Sequence, residues 1–138
     1  MTVQPYLSFE GRCEEALEFY KGAVGAEVTV LMRWKDMPGD RSQITPGSEN
    51  KVMHSAFRIG DTEILASDGR SSGKPAFQGI SLALQVPSKA EAERVFGALG
   101  RGGQVHQPLT ETFFSQAFGV LADRFGVTWM VLVEKQSA

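Results

Sequence analysis

Hydrophobic and polar positions change their period several times along the chain, and the changes mark out its elements. Residues 3–9 (Val-Gln-Pro-Tyr-Leu-Ser-Phe) are a short aromatic and branched run that reads as a strand, closed by Gly11. From Cys13 to Val24 the apolar residues Ala16, Leu17, Phe19, Tyr20, Ala23 and Val24 recur at helical spacing. Glu14, Glu15, Glu18 and Lys21 fall on the other face, so the segment predicts an amphipathic helix, with Gly25 as its stop. Glu27–Trp34 reads as a second strand. A polar stretch over 35–51, with Pro38-Gly39 and Pro46-Gly47, reads as a loop. Residues 52–59 and 62–67 then predict a hairpin turning through Gly60-Asp61.

The same order returns in the second half. Ile80–Val86 is a strand, and Ser88-Lys-Ala-Glu91 is a capping box opening a helix that carries Ala92, Val95, Phe96 and Leu99 on one side. Gly100, Gly102 and Gly103 end it. Gln104–Gln107 is a short strand before Pro108, and strands at Ser115–Ala122 and Val127–Glu134 join through Asp123-Arg-Phe-Gly126. Laid on each other, the halves match Leu7 with Leu84, Phe9 with Val86, Phe19 with Phe96, Gly25 with Gly102 and Val28 with Val105 at one constant spacing. In the hairpins the spacing shortens, with Ala56 on Ala117 and Phe57 on Phe118, by about the length of the 35–51 loop. Internal duplication fixes architecture. The expectation is an α+β fold of two tandem β-α-β-β-β units, about 3–68 and 80–134, within a single domain spanning 1–138.

Composition narrows the function classes. The 138 residues are 42% hydrophobic and 22% charged, with a net charge of −2 and no charge block, which argues against nucleic acid or an acidic membrane surface as partner. No apolar run approaches the roughly 18 residues of a membrane span. The start, Met-Thr-Val-Gln-Pro, lacks the basic and apolar stretches of a signal peptide, and Cys13 is the one cysteine. An intramolecular disulfide is therefore excluded, and a reducing cytoplasm is the expected compartment.

Several stretches resemble the PhnB-like branch of the glyoxalase/bleomycin-resistance/dioxygenase (vicinal oxygen chelate) superfamily. They are Pro5–Gly11 followed by Glu15–Tyr20, Val52–Gly60, Ser67-Asp68 and, most specifically, Asp123-Arg-Phe-Gly-Val-Thr-Trp-Met-Val131. The resemblance implies a curved mixed sheet with helices on its outer face, a cupped inner face holding a small-molecule ligand, and a homodimer. Some members of the branch carry a methyltransferase label, but no glycine-rich turn after a strand offers a nucleotide loop here. The nearest run, Gly100-Arg-Gly-Gly103, follows a helix.

Metal-dependent members of the superfamily place four ligands on the cup, His or Gln, Glu, His and Glu, one on the first and last strand of each unit. By alternation Leu7, Phe9, Leu84 and Val86 face the helices, leaving Gln4, Tyr6, Ser8, Ser81, Ala83 and Gln85 toward the cup. The four positions then fall on Gln4, on Leu65 or Ala66, on Ser81 and on Met130. Only Gln4 matches the family set, so the usual divalent metal is expected to be absent. A different cation site could use His54, Asp68 and Gln4.

His54 and Asp68 are also the candidate catalytic pair, a general base with an orienting carboxylate; the alternative is that Asp68 caps its own loop through backbone amides. Cys13 at a helix N-terminus is either an activated thiol or a structural one. Phe113 or Phe114 is a candidate aromatic wall, whereas Phe118 and Trp129 read as core. The 35–51 loop could carry Trp34 or Arg41 to a ligand, and His106 reads as exposed and without a role. Two classes stay open. One is a binder of an apolar or aromatic compound, lined by Gln4, Tyr6, His54, Arg58, Ser81, Phe113 and Met130. The other is a metal-dependent or acid/base enzyme of lyase, isomerase or dioxygenase type using His54.

Overall fold

The computed structural model describes residues 1–39, 44 and 46–134, and it divides the chain into two compact units, Met1–Pro75 and Ala76–Ala138. The first contains β1 (Tyr6–Ser8), α1 (Cys13–Val24), β2 (Glu27–Arg33), a short 3-10 turn at Trp34–Asp36, β3 (Val52–Ile59) and β4 (Thr62–Ser67). Its strands form one sheet in the order β1-β4-β3-β2, with β1 parallel to β4 and the other pairs antiparallel. The second contains β5 (Ser81–Val86), α2 (Lys89–Leu99), β6 (Gln104–Thr110), β7 (Ser115–Ala122) and β8 (Thr128–Glu134), in the order β5-β8-β7-β6, again with only the first pair parallel. These are two β-α-β-β-β units and two mixed four-stranded sheets. No helix among the described residues is long and apolar enough to cross a membrane.

In each unit one face of the sheet is covered by the helix and the other is left open. α1 lays Ala16, Leu17, Tyr20 and Ala23 against Leu7, Phe9, Phe57, Ile64 and Ala66, all buried. Tyr20 stacks on Phe57 with ring centroids 5.8 Å apart and meets Phe9 at 6.1 Å. Burying one such side chain stabilises by about 1.5–3 kcal/mol, so these rings anchor the layer. α2 buries Ala92, Val95 and Leu99 beside Ala117, Leu121, Trp129, Val131 and Val133. Gly119 lies under this helix: a Cβ there would stand 2.7 Å from the Phe96 ring, so only glycine lets α2 come this close.

Helix boundaries follow their sequence signals. Gly25, at φ +68, closes α1 in the left-handed conformation, and the Ser88 hydroxyl accepts the Glu91 N–H at 3.1 Å to open α2. Three expectations change. β1 is shorter than predicted. β6 runs through Pro108 to Thr110, which is tolerated because β6 is an edge strand and its register breaks between Gln107 and Thr110. The third change is in the overlay of the hairpins. Leu7, Ala66 and Ser55 share a row across the first sheet, as Leu84, Val131 and Gly119 do across the second. The structural counterpart of Ser55 is thus Gly119, that of Phe57 is Leu121, and Phe118 corresponds to His54.

Candidate functional site

Strand alternation decides which predicted residues can meet a ligand. On the open face of the first sheet, Tyr6, Leu65, Ala56 and Val30 form one row, and Ser8, Ser67, His54 and Met32 form the next. Arg58 lies further along β3, opposite Glu63 and Glu27. The Tyr6 hydroxyl and His54 Nδ1 are 3.2 Å apart, with ring centroids at 5.9 Å and planes tilted by 32°. Gln4 Nε2 donates to Glu63 Oε1 at 2.9 Å, and Arg58 reaches Glu27 at a loose 3.5 Å.

Asp68 does not join this group. It is buried at 1% exposure, its Oδ1 accepts the Cys13 N–H at 2.7 Å, and its Oδ2 accepts the Val52 N–H at 2.6 Å. The carboxylate therefore caps α1 from another element, which explains why Arg12, at the N-cap, makes no side-chain cap of its own. His54 and Asp68 take different partners: both oxygens of Asp68 accept backbone amides on the helix side, and His54 meets Tyr6 on the open face. Of the expected cation set, Gln4 likewise bonds elsewhere, to Glu63. Among the described residues no three His, Cys, Asp or Glu side chains come together as a metal site.

The loop after β4 is capped by a residue the sequence did not flag. Glu10, held at φ +52, takes the N–H groups of Arg70 and Ser72 on Oε2, each at 3.1 Å, and the Ser8 hydroxyl on Oε1. The Ser72 amide is the largest cause holding the Glu10 carboxyl below its ordinary range. Gly69 is required here, since a Cβ on it would lie 2.0 Å from Ser8 Oγ. Positive φ at a glutamate is the kind of backbone feature that composition and periodicity do not carry.

Cys13 is fully buried, with Sγ 3.7 Å from Ser55 Oγ. Desolvation pushes its thiol up to about 12, with the Asp68 and Glu14 charges acting in the same direction, so the structural reading of this cysteine stands over the activated one. Beside the start of α1, Gly11, Glu14, Arg33, Lys35 and Lys51 line an open cleft of about 640 Å³. Arg33 there binds the Glu14 carboxylate and the Asn50 carbonyl, and Lys51 donates to the Gly11 carbonyl at 3.0 Å. Those two cations are tied to the fold. Trp34 opens the 3-10 turn, its N–H bonded to the Lys51 carbonyl, and Arg41 lies outside the described residues.

In the second unit Ser81 and Met130 stand on the open face, next to Thr128 and Ala83 respectively. Phe113, 90% exposed, meets Phe114 edge-on at 5.1 Å, and Phe114 meets Phe118 edge-on at the same distance. Phe118 was expected in the core with Trp129. Only Trp129 is there, 2% exposed, its Nε1 donating to Asp123 Oδ2 at 2.9 Å. Asp123 Oδ1 also accepts the N–H groups of Phe125 and Val127, so the Asp123–Trp129 motif is a capped turn. His106 is exposed on β6.

The duplicated β-α-β-β-β arrangement is shared with a solved glyoxylase/bleomycin resistance protein/dioxygenase domain from Frankia sp. EAN1pec, at a TM-score of 0.63 and 16% identity, over 96% of this chain and 94% of that one. The chain itself belongs to the family whose model is described as 3-demethylubiquinone-9 3-methyltransferase, which matches residues 1–132. It is 34% identical to Protein YjdN of Escherichia coli K12, covering 99% of this chain and 97% of that one. Protein PA1353 of Pseudomonas aeruginosa is similar at 37% identity and TM-score 0.85, over 99% of both chains. A PhnB protein from Bacillus cereus, also described as a 3-demethylubiquinone-9 3-methyltransferase, is similar at 28% identity and TM-score 0.80, over 96% of this chain and 99% of that one.

Proposed function

We propose that this protein binds a small molecule on the open face of its first sheet and does so without the divalent metal of its superfamily. The observation carrying the reading is the donor set. The four positions that resemblance assigns to metal ligands hold Gln4, Leu65 or Ala66, Ser81 and Met130, so the Gln4 carbonyl oxygen is the one donor of the family set, its Nε2 donating to Glu63. Leu65 and Met130 offer no hard oxygen or imidazole nitrogen to a divalent ion. Tyr6, His54 and Arg58 supply polar contacts beside the apolar Leu65, Val30 and Met32, which suits an apolar body with one polar end. Ser81, Phe113 and Met130 are the candidate contacts of the second unit. A homodimer in a reducing cytoplasm completes the proposal.

Catalysis by a His54–Asp68 pair has lost its geometric support, since the carboxylate serves two amides instead. Methyl transfer, the chemistry in the family description, finds little support in the glycine run after α2. Gly100 caps the helix, and a Cβ on Gly103 would lie 2.1 Å from the Ala122 carbonyl, so these glycines serve packing.

Elemental analysis tests the metal claim, on untagged protein expressed with zinc, nickel, manganese and iron in the medium. No stoichiometric metal is expected. A near-stoichiometric metal that disappears in His54→Ala would overturn the proposal and make the protein a metalloprotein. A thermal-shift screen tests the binding claim: ligands that raise the wild-type melting temperature are expected to lose that effect in Tyr6→Ala and His54→Ala.

A further inference from the structure

We infer that Tyr6 is the positioning residue for His54, fixing the tautomer that turns Nε2–H to the ligand, and that the ligand is therefore held through an acceptor oxygen: a carboxylate, enolate, phenolate or carbonyl. The ligand class rests on the binding reading above; the tautomer does not.

The pair at 3.2 Å admits two proton arrangements. In one, the phenol donates to Nδ1 and the ring proton sits on Nε2. In the other, Nδ1–H donates to the phenol oxygen, and the phenolic hydrogen must find another acceptor. An unprotonated imidazole nitrogen is a good acceptor, and a phenolic O–H is a better donor than its oxygen is an acceptor. Among the described residues His54 is the only side chain hydrogen-bonded to the Tyr6 hydroxyl, which makes O–H to Nδ1 the better match.

Second-partner logic normally gives this orienting task to a carboxylate, which accepts Nδ1–H and leaves Nε2 bare as a base. A phenol donor inverts that outcome. Nε2 then carries a hydrogen and meets no protein group among the described residues. His54 so held presents a hydrogen-bond donor on the open face, with Ser8 and Ser67 in its own row and the apolar Leu65, Ala56 and Val30 in the row of Tyr6. Arg58 stands further along the same strand between Glu27 and Glu63, so the acceptor class rests on the Nε2–H donor and not on the charge of this face.

The test begins without ligand. Long-range nitrogen–proton correlation spectra of histidine-labelled protein, at a pH above the ordinary histidine range, report the tautomer directly. With His106→Gln used for assignment, His54 is expected as a single Nε2–H form whose Nδ1 shift is that of a hydrogen-bonded acceptor. Tyr6→Phe, which keeps the ring, is expected to move Nδ1 to its unbonded value and to admit the second tautomer. An Nδ1–H form in the wild type, or spectra unchanged by Tyr6→Phe, would overturn the tautomer assignment.

The ligand arm uses benzoate and benzylamine as matched probes. Benzoate is expected to shift the His54 Nε2–H resonance and to bind about tenfold to a hundredfold more weakly to His54→Ala, as loss of a hydrogen bond to a charged group implies. Benzylamine binding in its place would overturn the acceptor class. Failure of both probes at this face would overturn the binding reading while leaving the tautomer result intact.

Discussion

Replacing Asp68 by alanine separates a structural carboxylate from a catalytic one. Its two oxygens accept the Cys13 and Val52 amides at 2.7 and 2.6 Å in a site 1% exposed, so truncation leaves two buried donors unpaired. A hydrogen bond to a charged group contributes about 1.5–3 kcal/mol, and an orphaned buried donor costs a comparable amount, which puts Asp68→Ala at about 3–6 kcal/mol. Partial entry of water toward the orphaned amides favours the middle of that range, about 4 kcal/mol. For a chain of 138 residues this is a fall in melting temperature of about 12–16 °C. Asp68→Asn keeps one carbonyl acceptor and turns an amide NH₂ toward the other N–H, so it recovers only part of the loss. Urea unfolding followed by circular dichroism measures both variants, and the same samples report His54 by its tautomer spectrum. A loss below about 1 kcal/mol, or a His54 spectrum disturbed in a variant that remains folded, would refute the reasoning.

Glu10 should give stability an acid limb. Its folded carboxyl lies below the ordinary range, so its contribution is present above the unfolded value, 4.5, and is lost as pH falls through the depressed folded one. The stability gap between wild type and Glu10→Gln, from melting temperatures across pH, should therefore be open at neutral pH and close in acid. Cys13 works at the opposite end: its thiol is raised from 9.0 to about 12, so wild-type stability relative to Cys13→Ala should decline between those values. Below that window a thiol reagent should label the folded protein only as fast as it opens, and rapid labelling would contradict the burial argument. Two glycines should respond oppositely to alanine. Gly22→Ala, in open space on α1, should gain about 0.5–1 kcal/mol, whereas Gly119→Ala, against Phe96, should lose about 1–3 kcal/mol in the same urea assay.

Helix α1 and the capping box of α2 were legible because period and caps are local signals. The duplicated order of elements was legible too, since Leu7 and Leu84 lie in uninterrupted strand–helix segments. Phe118 was misplaced for a reason that lies in the turns. The first hairpin turns through Gly60-Asp61, and the second through the longer, Asp123-capped segment before Thr128. A bulge between Ser115 and Ala117 alters the count again. Register follows turn length and bulges, and a slip by an odd number of residues exchanges the faces, so a match of phenylalanines by spacing alone put Phe118 with Phe57. The site was half legible. Alternation put Tyr6 and His54 on one face, but their contact depends on the parallel pairing of β1 with β4, a long-range fact. Asp68 sits one residue beyond Ser67, and that single step carries its carboxylate to the helix side.

The matched rows of the two sheets carry an evolutionary consequence. At the matched positions the helix-facing Leu7, Ala66 and Phe57 are answered by other apolar residues, Leu84, Val131 and Leu121. The open-face residues diverged in chemistry: Tyr6 and His54 have Ala83 and Phe118 as their counterparts, so one copy holds a polar pair where the other is apolar. Each strand thus carries two independently mutable alphabets, one spelling the core and one spelling the ligand. New specificities can be written on the second without rewriting the first, and the molecule already contains one such rewriting.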